Sequence, residues 1–490
     1  MGSTPGGNAL EFYYDVRQFV DIEALAARTG AHLIWRPVLL GAIYRATSAP
    51  QGAGGSASDV FNPTKKHITS IAFRRSIERY GIDHNQPPKH PVKTTGALRL
   101  LYSVGGDQRS KLSKALFRAY WVEAKDVSNR DVLIDVVRRS GVPATEGIVK
   151  SIEDGSFEGQ KERQELENAT DQAVQRGTPG VPAFWVRDEI WIDKQGKRRR
   201  GRLYWGQDRM HFVEAVLLAM NEGKNGSSLG SVSVSLQSLV PKCARGTSIR
   251  NGEEVRLEFW YDFSSPWAFL GWTQLDRLQR QFGSKLRIEM KPFLLGILFR
   301  EIGAPNTPMT TVSEQKRNYS QLDHRDWCRW WNAVNEQEGK PEKEIEFYWA
   351  DIFPIRTPTV LRAALVEPNL VAPMYRACWE RNLDMSSDDV LSKVITEAGY
   401  DASSIMARAN SDEYKKALRA HTQEAKQIGL CGVPSYRIFR REKGQDWAQV
   451  GDIVWGQDEM AVVEDLIAGW NGEGIAHVPQ FVDAKSWSKL

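Results

Sequence analysis

No Cys-x-x-Cys pair occurs in these 490 residues, and the four cysteines, Cys243, Cys328, Cys378 and Cys431, are scattered. Neighbouring thiols therefore offer neither a redox dithiol nor a structural zinc site, and the eight histidines form no cluster that would supply one, so no metal is expected. No apolar stretch approaches the ~20 residues that cross a membrane. Residues 1–8 lack the basic and apolar regions of a secretory leader, and Gly6 stands where a myristoylation pattern needs Ser or Thr. An excess of one charge is also missing: 65 Lys and Arg face 61 Asp and Glu, a net +4. That is no footprint of nucleic-acid binding. The densest basic run, Lys194 to Arg202, lies between two apolar runs and contains Gly196 and Gly201. It reads as a solvated hairpin tip, with anion steering as the alternative.

What the chain does have is a long repeat. Leu10-Glu11-Phe12-Tyr13-Tyr14-Asp15-Val16 returns as Leu257-Glu258-Phe259-Trp260-Tyr261-Asp262-Phe263, an offset of 247. Arg36-Pro37-Val38-Leu39-Leu40-Gly41 returns as Lys291-Pro292-Phe293-Leu294-Leu295-Gly296, an offset of 255. Later, Gly180-Val181-Pro182 answers to Gly432-Val433-Pro434, and Trp205-Gly206-Gln207-Asp208 to Trp455-Gly456-Gln457-Asp458. A unit this long is a duplicated domain rather than a solenoid repeat. The eight residues by which the offsets differ fall just after the first strand, where the second copy reads Ser264-Ser265-Pro266-Trp267-Ala268-Phe269-Leu270-Gly271. The first copy runs instead from Val16 into Arg17-Gln18-Phe19. Two origins are open: a natural loss that silenced copy one, or a misplaced splice boundary.

Composition places the copies at 9–222 and 251–473, with a Gly-, Ser- and Asn-rich linker over 223–250 and a tail over 474–490. In copy two an apolar run, Leu257 to Phe263, predicts a buried strand, and helical spacing follows from Trp267 to Phe282. Leu286 to Met290 alternates as a strand, a long helical stretch follows, and the copy closes with two strands and a helix from Met460 to Trp470. The fold class is α/β: two tandem thioredoxin-like domains, each with an all-helical insertion. The insert's Trp327, Trp330 and Trp331 read as core more readily than as the walls of an acceptor pocket.

Tyr-Asp-Phe-x-Ser-Pro after the first strand, Leu-Leu-Gly after the second, Gly-Val-Pro before the third and Trp-Gly-Gln-Asp before the last helix occur in that order. This series resembles the kappa-class glutathione transferases and 2-hydroxychromene-2-carboxylate isomerases, in the DsbA-like branch of thioredoxin folds. The resemblance covers most of both copies.

Ser265 before Pro266 suits a helix N-cap with proline at the first helical position. The resemblance adds a catalytic role: Ser265 donates a hydrogen bond to the sulfur of bound glutathione, with Pro266 and Trp267 as its neighbours. The positive end of the helix favours the same thiolate. It also assigns Val433, ahead of a cis Pro434, a backbone pairing with the cysteinyl part of glutathione. Gln457 and Asp458 would receive the γ-glutamyl end, and Asn306 falls near a family asparagine that contacts the same ligand. A structural turn, an N-cap and an ordinary loop are the plainer readings of these positions. Cys431 reads as a buried or incidental thiol.

The expectation is an enzyme in which copy two activates the glutathione thiolate with Ser265 and delivers it to a small aromatic or unsaturated electrophile, as transferase or isomerase. The alternative is a catalytically inactive binding or scaffold protein of the same fold, and a disulfide oxidoreductase is disfavoured. Copy one is expected to be silent and to pack against copy two as subunits pack in a dimer. No nucleic-acid or membrane partner is expected. The final Ser488-Lys489-Leu490 is the tripeptide read as a peroxisomal address; without it the location would be cytoplasmic.

Overall fold

The computed structural model describes residues 7–16, 22–51, 60–193, 195–226, 228–243, 249–339, 344–472 and 475–476. Two four-stranded mixed sheets carry the chain. In the first, β1 (Ala9–Tyr14), β2 (His32–Pro37), β3 (Ala183–Ile192) and β4 (Arg198–Trp205) lie in the order β2-β1-β3-β4. In the second, β5 (Glu253–Tyr261), β6 (Leu286–Pro292), β7 (Ser435–Glu442) and β8 (Ala448–Trp455) repeat it as β6-β5-β7-β8. The first two strands of each copy are parallel and the other pairings antiparallel. Every residue of β1 is buried, which is why that segment reads as a continuous apolar run rather than an alternation. The α/β class and the two thioredoxin-like domains expected from the sequence are present.

The helical run expected over Trp267 to Phe282 is two helices, Pro266–Thr273 and Leu275–Phe282. They meet at Gln274, whose buried amide donates to Thr273 Oγ1 (3.0 Å) and accepts from Arg277 Nε (3.0 Å). Apolar periodicity runs through such a joint without marking it. Copy one has a single helix of this group, Ile22–Thr29, between β1 and β2 among the described residues. Arg17 to Asp21, where the expected deletion falls, lie outside them. The closing helix ends at Ile467 rather than Trp470.

Each insertion reaches across to the other copy. Glu314–Gln337 in copy two sets Trp327 and Trp330 against His211 and Phe212 of copy one (centroids 4.6–5.4 Å). Pro63–Tyr80 in copy one places Arg75 Nη2 on the carbonyls of Asp452 and Ile453 (3.1 and 3.0 Å) and Arg79 on Asp465 (2.5 Å). The insert tryptophans thus form core between the copies. The linker is packed as well: Leu229, Val232, Leu236 and Leu239 are buried. Gln337 holds this strap through Nε2 to the Val232 and Val234 carbonyls (3.0 Å each) and Oε1 from Leu236 N–H (2.8 Å). At the basic hairpin, Arg199 and Arg200 are exposed and paired with Asp193 and Asp188, while Arg202 turns inward to Asp326 (2.6 Å).

Candidate active site

Ser265 stands where β5 gives way to the helix Pro266–Thr273. Its backbone is extended, and its Oγ accepts the N–H of Ala268 at 3.2 Å. Only 7% of the residue is exposed. A hydroxyl has two lone pairs and one proton, so capping the helix leaves the proton free to donate. The strand end is held by Asp262, whose carboxylate accepts from Ser264 N–H (3.0 Å) and Leu295 N–H (2.9 Å). Burial pushes this carboxyl up and the backbone bonds pull it down; the upward effect wins. Copy one keeps the same anchor, with Asp15 accepting from Leu40 N–H (3.3 Å) and Thr94 Oγ1 (3.2 Å).

Two side chains from the insertion fix the backbone on either side of Ser265. Trp379 Nε1 donates to the carbonyl of Phe263 (2.9 Å), and His324 Nε2 lies 3.1 Å from the carbonyl of Pro266. Burial lowers the His324 pKa to about 3, so the ring is neutral. Its Nε2–H therefore donates to Pro266, and Nδ1 accepts from the Cys328 thiol at 3.7 Å. Trp267, half-buried, meets the His324 ring edge-on with centroids 4.9 Å apart.

The Val433–Pro434 bond is cis, as is Val181–Pro182 in copy one. Pro434 rests on the helix that Ser265 caps: a Cβ at Gly271 would stand 3.0 Å from Pro434 Cγ and 2.5 Å from Tyr436 OH. Only glycine permits that approach. The turn Gln457–Glu459 packs on the same helix. It is preceded by Gly456 at φ 106°, where a Cβ would sit 2.3 Å from Asp458 Oδ1. Gln457 is buried; its Oε1 accepts from Trp331 Nε1 (3.4 Å), while its Nε2 has no partner among the described residues. One helix thus gathers Ser265, Pro266 and Trp267 with Pro434 and the Gln457-Asp458 turn. Val433 shares the cis bond. Asn306 is exposed in its loop, and among the described residues no hydrogen bond ties it to the others.

Copy one also contributes to this region. Arg209 clamps Asp323 with two bonds (2.6 and 2.8 Å) and lies 3.4 Å from Asp458. Burial raises the Asp458 pKa and Arg209 opposes it. Lys65 places its ammonium 5.5 Å from the Trp455 ring, and the Trp455 indole covers Gly432 of the cis-proline loop. Burial lowers the Lys65 pKa, and the neighbouring Cys431 opposes that shift. Cys431 itself is buried, its thiol pushed up to about 12. Reading each copy separately misses these residues; the available signal was that Lys65 and Lys316 occupy matching places, Lys316 lying 5.5 Å from the Trp205 ring.

The model of the DsbA-like thioredoxin domain matches twice, over residues 16–218 and 256–468. The chain belongs to the DsbA-like thioredoxin family. It is 25% identical over 218 residues to the 2-hydroxychromene-2-carboxylate isomerase of Sphingobium xenophagum, an alignment covering 43% of this chain and 97% of that protein. Among solved structures, a 2-hydroxychromene-2-carboxylate isomerase matches 43% of this chain and 92% of its own at 15% identity and a TM-score of 0.34. A putative protein disulfide isomerase from Nitrosomonas europaea matches 44% of this chain and all of its own at 19% identity and a TM-score of 0.29. Each of these DsbA-like relatives is about as long as one copy.

Proposed function

We propose that copy two is a glutathione-dependent transferase or isomerase, and that copy one is a non-catalytic complement. The observation that carries this is Ser265, a buried N-cap whose hydroxyl proton is uncommitted among the described residues, at the start of a helix against which the cis-proline loop is packed. Glutathione, when bound, supplies a thiolate, which is spent in conjugation and returned in isomerisation. The residues fit such a ligand. The Ser265 hydroxyl donates to sulfur, and the helix N-terminus stabilises the negative charge there. Val433 offers its backbone to the peptide. Gln457 Nε2, without a partner among the described residues, donates to the γ-glutamyl carboxylate, and Asp458 accepts from its ammonium. Asn306 would join them from its exposed loop. The acceptor is a small aromatic or unsaturated electrophile, in keeping with the similarity to an isomerase. The terminal Ser488-Lys489-Leu490, outside the described residues, directs the chain to the peroxisome in this reading.

A pair of substitutions separates the cap from the chemistry. Ser265→Asp keeps an acceptor for Ala268 N–H but sets a carboxylate against the sulfur, so stability should stay within about 1 kcal/mol of wild type. Ser265→Ala removes both functions. Both variants should lose the ultraviolet thiolate absorbance that glutathione develops on the wild-type chain at neutral pH, and turnover should fall roughly a hundredfold. Wild-type turnover in Ser265→Asp would leave Ser265 a helix cap and nothing more. Glutathione retained without any thiolate signal in the wild type would favour the inactive scaffold.

A further inference from the structure

A strap over residues 344–356, which contains the cis Phe353–Pro354 bond, crosses the insertion of copy two. Three of the eight exposed large apolar residues among those described lie on it: Tyr348 (47%), Ile352 (54%) and Phe353 (44%). The strap rests on the two side chains that fix the Ser265 backbone. Phe347 lies 3.8 Å from the His324 ring and 5.8 Å from Trp379, Trp349 lies 5.3 Å from His324, and Phe353 lies 6.3 Å from Trp379. Trp349 Nε1 is out of solvent and has no acceptor among the described residues.

Copy one has the same strap with different chemistry. Asn85 N–H donates to Trp121 as Tyr348 N–H donates to Trp379 (2.6 Å each), and His90–Pro91 is cis as Phe353–Pro354 is. In that register Phe347 answers to His84, Tyr348 to Asn85, Trp349 to Gln86, Ile352 to Lys89 and Phe353 to His90. The charge changes too. Residues 344–356 hold Glu344, Glu346 and Asp351 against Arg356, a net −2, whereas 81–93 hold Asp83 against Lys89 and Lys93, a net +1 with histidine neutral. The copy that has the serine has lost the lysine and gained the rings.

The geometry points to this strap as the acceptor wall of the copy-two site, selecting a flat, uncharged aromatic electrophile and rejecting the same ring when it bears a carboxylate. This rests on the glutathione reading for its chemistry, and on the strap alone for its selectivity. Aromatic faces and the Ile352 side chain bury the ring, and Trp349 Nε1–H meets a neutral acceptor such as a nitro or carbonyl oxygen. A carboxylate would be desolvated on these rings beside Asp351 and Glu346, where the strap carries a net −2, a like-charge arrangement that discriminates by repulsion.

The test uses the full chain and two electrophiles, chlorodinitrobenzene and chlorodinitrobenzoate. With glutathione, kcat/KM should favour the neutral compound by roughly tenfold or more. Replacing Ile352→Lys together with Phe353→His installs the copy-one residues; the preference should shrink to within about threefold while the glutathione thiolate absorbance is kept. In parallel, without glutathione, quenching of tryptophan fluorescence by nitrobenzene and nitrobenzoate reads binding directly, with the same preference expected and the same loss in the double variant. Equal use of the two electrophiles, preference for the carboxylate, or a ratio untouched by the double variant overturns the strap. Selective quenching in a chain on which glutathione develops no thiolate absorbance and neither electrophile turns over overturns the glutathione chemistry and upholds the strap.

Discussion

His324 shows how a residue that need not touch substrate can govern the site. It is buried, neutral, and hydrogen-bonded through Nε2–H to the Pro266 carbonyl one residue beyond Ser265. Nothing in the sequence marks it, because a lone histidine on a helix rich in tryptophan is ordinarily core. As a positioning residue it makes a specific prediction. His324→Phe keeps the ring volume and removes the donor, which should cost about 1 kcal/mol of stability. It should lower kcat by roughly three- to tenfold with little change in the KM for glutathione, since the misplaced group is the Ser265 hydroxyl. His324→Gln, which restores a donor, should recover part of the loss. With its pKa lowered to about 3 by burial, His324 adds no ionisation to a rate profile measured above pH 5, and a profile in which removing it deletes a limb near neutrality would show that it moves a proton instead.

Among elements, what was legible was what is local. The buried strands, the Ser-Pro cap and the Gly-Gln-Asp turn are each specified by residues within a few positions; the cap and turn stand where the sequence placed them, and the first strand of copy two, expected over Leu257 to Phe263, runs from Glu253 to Tyr261. The joint at Gln274 was not legible, because the apolar period continues across it and the interruption is made by side-chain bonds to Thr273 and Arg277. Nor was the approach of Arg209 to Asp458, two residues separated by 249 positions. Composition alone makes 223–250 a tether, whereas Leu229, Val232, Leu236 and Leu239 are buried beneath it and Gln337 grips three of its backbone groups. If this strap is part of the folded body, Gln337→Ala strands those groups at roughly 1–3 kcal/mol. Limited proteolysis should then cut between 229 and 243 much faster than in wild type, and an unchanged cleavage rate would return the segment to the status of a tether.

Across the whole molecule the contact between copies is electrically polarised. Copy one supplies cations, Arg74, Arg79, Arg202 and Arg209; copy two supplies the anions they meet, Asp452, Asp465, Asp326 and Asp323 with Asp458. Glu189 with Arg329, at 3.9 Å, is a reversed pair. Two identical subunits related by a two-fold axis could not be arranged so, since whatever one face carries the other must carry too. The duplicated turns show the divergence: copy one reads Gln207-Asp208-Arg209 where copy two reads Gln457-Asp458-Glu459. Glu459 faces Asp458 in its own turn, Asp208 of copy one, and Arg75 and Arg79 of the copy-one insertion. Burial first, and then the two aspartates, push its pKa from 4.5 to about 7 against the pull of the arginines. Because the folded chain holds this proton more tightly than the unfolded chain, the contribution is fully present below pH 4.5 and is lost as pH rises through about 7, a change of up to about 3 kcal/mol. Glu459→Gln stays neutral throughout. Its melting temperature relative to wild type should therefore climb from pH 4.5 to 7 and level off above that, and a difference independent of pH would mean that the arginines of copy one hold Glu459 ionised in the folded chain.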